Sequence, residues 1–276
     1  MSIESKRLPE VPFGPYSISR LIVGGNPPHG GSHQTTLMNL HMREYFTLDQ
    51  TVKFLHRCRA EGINTWQTSY SSQTRDALKQ FREENGEMHF ICLCSPEQIA
   101  DKNEFAKVLE LKPIAVAFHG EVTDRIWRAG KIDTALDTLA QIRDAGVLVG
   151  LSTHNPEVIE YTEEKNWDID FYMACVYRKS RDHKELTEIM REAPIGEVYL
   201  PSDMPQMCET ISKATKTCLA FKILAAGRTC DTPEQVRRVF EFIFGHIKPT
   251  DAAIVGMYPR YTDQIKENAD LVRMYG

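Results

Sequence analysis

Short apolar runs alternate along this chain with longer stretches whose apolar residues recur at helical spacing. The runs are Leu21-Ile22-Val23, Ile63-Asn64-Thr65-Trp66, Phe90-Ile91-Cys92-Leu93, Ile114-Ala115-Val116-Ala117-Phe118, Val147-Leu148-Val149-Gly150-Leu151, Phe171-Tyr172-Met173-Ala174-Cys175-Val176, Cys218-Leu219-Ala220-Phe221 and Ala252-Ala253-Ile254-Val255. They are largely continuous rather than alternating, the pattern of strands buried on both faces of a parallel sheet. Helices are expected between them. Leu48 to Glu61 follows Thr47, an N-cap residue, and stops at Gly62. Ile132 to Ala145 stops at Gly146, and Pro156 to Lys165 starts after Asn155 with proline in its first turn. Thr232-Pro233 opens Glu234 to Phe244 in the same way.

Strand and helix alternating eight times predict a closed (β/α)8 barrel, a fold of about 250 residues. The 276 residues contain no linker or low-complexity stretch, so residues 1–276 are expected to form one domain. Two segments stand outside the repeat. Residues 10 to 20 predict a hairpin around Gly14-Pro15 that closes the bottom of the barrel, and Glu197-Val198-Tyr199-Leu200 predicts an extra short strand. An open doubly wound sheet would call for Gly-x-Gly-x-x-Gly after the first strand. The chain has Gly24-Gly25-Asn26 and then Gly30-Gly31, which does not fit.

Composition narrows the partners. A net charge of −5 and 26% charged residues give no electrostatic case for nucleic acid. No apolar run approaches the roughly 20 residues of a membrane span. Met1 to Lys6 lacks the apolar core of a secretion signal. The seven cysteines are scattered and mostly lie in apolar segments, as expected of reduced core thiols in a cytoplasmic protein. The expected partner is a small-molecule substrate. Oligomeric state has no signature in the sequence.

In a barrel of this kind, function sits on the loops after the strands. The first loop carries Asn26, His29 and His33 among glycines and prolines. The second carries Gln67-Thr68-Ser69-Tyr70-Ser71-Ser72. Cys94 follows the third strand, His119-Gly120-Glu121 the fourth, Ser152-Thr153-His154-Asn155 the fifth and Tyr177-Arg178 the sixth. Phe221-Lys222-Ile223-Leu224-Ala225-Ala226-Gly227-Arg228 leaves the seventh. The eighth leads through Gly256 and Arg260 to a helix carrying Glu267-Asn268. A basic loop before a helix N-terminus suits a phosphate-bearing cofactor.

From about residue 12 to 272 the order and spacing of these segments resemble the aldo-keto reductase family. The resemblance implies NADP(H) as cofactor. Ser152 would hold the nicotinamide amide, Phe221 would stack on its ring, and Gly227 with Arg228 would take the pyrophosphate. Arg260, Glu267 and Asn268 would hold the adenosine end. Arg260 and Lys266 lean towards NADP over NAD. The family reduces carbonyls with a Tyr, Lys, Asp and His quartet. Here only His119 matches; Gln67 stands for the Asp, Cys94 for the Lys and Ser72 for the Tyr, with Tyr70 two residues early. That relay cannot run as built.

Two classes of function follow. In the first, the protein is an oxidoreductase on a carbonyl or sugar-like compound, with His119 or Tyr70 as proton donor and Gln67 and Cys94 beside them. In the second, the barrel has been turned to metal- or His-dependent lyase, isomerase or hydrolase chemistry through His29, His33, His119, Glu121, His154 and Cys94. The His29-x-x-x-His33 pair, in a proline-glycine loop, is the only short-range ligand spacing for the second. A non-catalytic binding protein is the remaining alternative.

Overall fold

The structure is a computed structural model that describes residues 7–276. Met1 to Lys6, on which the expectation about secretion rests, lie outside the described residues. Eight parallel strands close into a barrel. In chain order, a two-stranded antiparallel hairpin of β1 (Glu10–Phe13) and β2 (Tyr16–Ser19) comes first. The barrel strands follow: β3 (Leu21–Gly24), β4 (Thr65–Ser69), β5 (His89–Cys94), β6 (Ala115–Phe118), β7 (Leu148–Thr153), β8 (Phe171–Cys175), β9 (Thr217–Phe221) and β10 (Ala252–Gly256). The ring closes between β10 and β3, with Val255 beside Val23.

Each expected strand is present. The expected helices are also found, as Leu48–Ala60, Leu136–Asp144 behind a short 3-10 turn, Pro156–Glu164 and Pro233–His246. Their N-caps act as the residue types require: the Thr47, Asn155 and Thr232 side chains accept from backbone N–H groups of the first turn. Glu197–Leu200 is not a strand. A closed barrel has no free edge for it to pair with, and its Glu197 and Tyr199 side chains are engaged at the barrel mouth.

The barrel is filled by one face of its strands. Ile22, Ile91, Ala115, Ala117, Phe171, Met173, Leu219 and Ile254 pack together inside, and Val11, Phe13 and Ile18 of the hairpin join them from below. The Phe13 and Phe171 rings meet edge to face at 4.9 Å. Gly14, at φ +56, turns the hairpin where an ideal Cβ would stand only 2.8 Å from Leu148. The opposite strand faces, including Trp66, Phe90, Cys92, Cys94, Val116 and Phe118, pack against the helices.

Candidate active site

At the C-terminal end of β7 the inward side of the strand carries Ser152 and then His154, both buried. The preceding crossover is the helix Gly120–Arg128, whose buried face is Gly120, Thr123 and Asp124. Gly120 makes the packing possible. A Cβ there would fall 2.8 Å from Ser152 Oγ and 3.2 Å from His154 Cε1. With the helix pressed onto β7, Asp124 reaches the ring. Its Oδ2 lies 2.7 Å from His154 Nδ1, and its Oδ1 accepts from the Thr153 hydroxyl at 2.7 Å and from the His154 backbone N–H at 3.2 Å. Both side chains are nearly sealed, at 10% and 6% exposure for His154 and Asp124. An ionised Asp124 only accepts, so Nδ1 carries the imidazole proton and Nε2 presents its lone pair. The half-buried Phe221 ring, at the end of β9, meets the His154 ring edge to face at 5.4 Å.

His119 stands at the end of β6, immediately before that helix. Its Nδ1 is buried without a hydrogen-bond partner. Burial pushes its pKa below the ordinary histidine value, and nearby His154 adds to the shift against Glu121 and Asp124. A neutral His119 has one N–H donor and one acceptor nitrogen to offer a substrate oxygen. Gln67 is buried on β4, between Gly24 and Ile91 of the neighbouring strands.

Two expected members are not in the mouth. Cys94 lies on the outward face of β5, its Sγ 3.5 Å from that of Cys92, within the layer between strands and helices. Tyr70 packs against the same layer, with its hydroxyl beside Arg75 and Lys107. Both positions fall on the wrong parity of their strands, which corrects the placement of Cys94 and Tyr70 beside His119.

A second polar group spans the mouth from the loop after β3 to the loops after β8 and β9. His33 Nδ1 is 2.8 Å from Glu197 Oε1, and its Nε2 is 2.7 Å from Lys222 Nζ. Glu197 also takes an ion pair from Lys179 at 2.9 Å and a bond from the Tyr199 hydroxyl at 2.9 Å. Burial acts to raise the Glu197 carboxyl, but the His33 and Lys179 bonds outweigh it and hold it well below the usual range. Arg228 lies over the Tyr199 ring at 4.3 Å and donates to the His33 carbonyl at 3.0 Å.

Of the histidines of the second functional class, His29, His33 and His154 are held apart from one another. His29 meets Thr74 at 3.1 Å, His33 belongs to the Glu197 group and His154 to Asp124. Among the described residues, no three His, Cys, Asp or Glu side chains come together as a metal site.

The residues of the expected cofactor track gather at one end of it and not at the other. Phe221 and Ser152 flank His154, and Gly227 turns the β9 loop at φ +90. At the far end, the helix Gln264–Tyr275 is capped by its own Asp263, which accepts from the Lys266 N–H and pairs with Arg57 at 2.9 Å. A phosphate there would meet a carboxylate. Arg260 lies within 6 Å of the Tyr45 and Tyr261 rings, Glu267 is exposed, and Asn268 is buried.

Half-buried histidines also make the fold sensitive to acid. His29, His89 and His119 all have pKa values lowered, first by burial. The unfolded chain takes up these protons near the ordinary value of about 6.5, before the folded chain does. Their stabilisation is therefore complete above that pH and lost as pH falls through their lower folded values. Thermal midpoints should stay level from pH 8 to 7 and drop below 6.5. A His29→Gln variant should flatten that slope, and an unchanged slope would discount its share.

No protein-family model matches the chain, and no curated protein matches it. Solved structures do. A truncated form of 3-deoxy-D-arabino-heptulosonate 7-phosphate synthase from Thermotoga maritima is 12% identical, at TM-score 0.56, over 97% of this chain and 91% of its own. The glycerol dehydrogenase AKR11B4 from Gluconobacter oxydans is 13% identical, at TM-score 0.53, over 99% of this chain and 97% of its own. The aldo-keto reductase AKR11C1 from Bacillus halodurans, in its holo form, is 13% identical, at TM-score 0.56, over 96% of this chain and 90% of its own. A synthase aligns as well as the reductases do, so what these proteins share with this chain is the barrel.

Proposed function

We propose that this protein is an enzyme that moves a proton on or off the oxygen of a small carbonyl or hydroxyl compound, sugar-like in size. The carrying observation is the buried His154–Asp124 pair at the barrel mouth. Asp124 is the positioning residue: it fixes the tautomer and stabilises the imidazolium when His154 takes a proton. His154 Nε2 takes the proton from a substrate hydroxyl, or returns it to a carbonyl oxygen that is gaining charge. The uncharged His119 and Gln67 suit hydrogen bonding to a neutral substrate, and Phe221 supplies an apolar wall. A panel of small aldoses, ketoses and 2-oxo acids, each assayed with and without NADPH, tests this reading. Turnover of none of them would remove it.

Hydride transfer from NADP(H) is a second reading, favoured by Phe221 and Ser152 beside His154. Bound there, the cofactor would supply the hydride, and His154 would supply the proton in place of the missing Tyr. The capped helix N-terminus argues for weak binding. Fluorescence titration should give a dissociation constant well above the micromolar range for NADPH. Arg260→Ala should weaken NADPH more than NADH. No binding of either nucleotide at millimolar concentration would leave proton transfer without hydride.

A further inference from the structure

Three partly buried lysines in this protein sit against carboxylates: Lys179 on Glu197 at 2.9 Å, Lys216 on Glu163 at 3.3 Å and Lys248 on Asp251 at 3.0 Å. Lys222 does not. Its ammonium is turned into the mouth, makes no salt bridge with a described carboxylate, and has as its close partner the lone pair of His33 Nε2 at 2.7 Å. Both ends of this contact have left-handed backbone, at φ 58 for Lys222 and φ 55 for His33. Such conformations are strained in residues other than glycine, and they collect at functional sites. The amine is within electrostatic reach of Glu121, in the first turn of the helix that carries Asp124, so it and the His154–Asp124 pair share one mouth.

We infer that Lys222 is an imine-forming nucleophile for a small aldehyde or ketone, with His33 and Glu197 as its proton relay. The inference deepens the proposed function and rests on its carbonyl substrate. The bonding pattern sets the direction of proton flow. Glu197 only accepts, so His33 Nδ1 carries a proton, and Nε2 accepts from the Asn26 amide at 3.2 Å and, more closely, from the Lys222 ammonium, whose proton it takes. The imidazolium formed is then held by the Glu197 carboxylate. The freed lone pair of Lys222 forms a C–N bond to the carbonyl carbon, and the C=O electron pair moves to oxygen, which takes a proton back from His33. The carbinolamine loses its oxygen as water once His33 has passed on the second amine proton. In sum, the ammonium and a carbonyl give a protonated imine and one water, with no change of oxidation state. Burial supports the amine in this role by pushing its pKa below the ordinary lysine range, with Lys179 acting the same way and Cys175, Glu197 and Glu121 opposing.

Reductive trapping tests this without knowledge of the natural substrate. The whole protein is treated at pH 7 with dihydroxyacetone or pyruvate and cyanoborohydride, and the modified lysines are mapped by peptide mass. Lys222 should be modified about tenfold faster than the exposed Lys79 and Lys213, since a lowered pKa leaves more free amine at pH 7. His33→Asn should slow Lys222 by a similar factor, and Lys222→Met should remove the fast-labelled peptide. If Lys222→Met does not fold, the ranking of lysines in the unaltered protein decides. Labelling of Lys222 no faster than the exposed lysines, or no slower in His33→Asn, overturns the inference. Trapping is read by mass and needs no turnover, so its failure leaves proton transfer by His154 standing; failure of that reading would show in the substrate panel.

Discussion

Under the proposed proton transfer, Asp124→Asn should lower kcat by about 10²–10⁴-fold, the usual contribution of general acid–base catalysis, with KM little changed. The reason is tautomeric. Oδ1 of Asp124 already accepts from the Thr153 hydroxyl and the His154 backbone N–H. An asparagine must put its carbonyl oxygen there, which turns its NH2 towards His154 Nδ1. Nδ1 then has to accept, and the imidazole proton moves to Nε2, the atom that should take a proton from substrate. Nitrogen NMR of the His154 ring reads this shift directly, apart from any assay. A variant with unchanged kcat and a moved tautomer would remove His154 from the chemistry.

A large structural effect should come from Gly150→Ala. Gly150 on β7 is the register partner of Phe171 on β8, and an ideal Cβ at Gly150 would stand 2.2 Å from the Phe171 ring tip. That ring is fully buried and cannot swing away, because Phe13 of the hairpin meets it from below. Overpacking of a closed core costs about 1–3 kcal/mol and occasionally more, and here the added methyl meets an aromatic ring that is boxed in. Chemical denaturation should show a loss at or above the top of that range. Adding Phe171→Leu should recover part of it, since the shorter side chain frees the space. Equal stability of Gly150→Ala and the unaltered protein would mean that the β7–β8 register is not as described.

The barrel was legible because its strands are covered on both sides, so each leaves an unbroken apolar run that no loop or surface helix copies. The floor was legible through Gly14-Pro15, a turn signal between short half-apolar segments. The mouth was read less well, for two physical reasons. Counting positions past a strand ignores which way its last residue points. β5 runs on through Cys94, which leaves that thiol on the helix side, and Tyr70 falls on the same outward parity after β4. The other reason is that half of the main site comes from a crossover helix. Asp124 lies four residues beyond Gly120, one turn along the same face, and only helix spacing measured from that glycine would have aimed it at His154. Glu197 was misread because Val198 and Leu200 alternate with polar residues as a strand would, whereas the polar members are held by His33, Lys179 and Arg228.

The hairpin floor also sets an order of events during synthesis. β1 and β2 leave the ribosome before the barrel strands, and their turn pairs locally, as Val11 with Ile18 and Phe13 with Tyr16. The apolar face of that ribbon has nothing to rest on until Leu148 and Phe171 have been made. A two-stranded ribbon alone is marginal in water. A segment made before the barrel thus waits for its seat until well into elongation, and until then Val11, Phe13 and Ile18 form an exposed apolar patch. That nascent patch, rather than the finished barrel, is where a chaperone would have reason to bind.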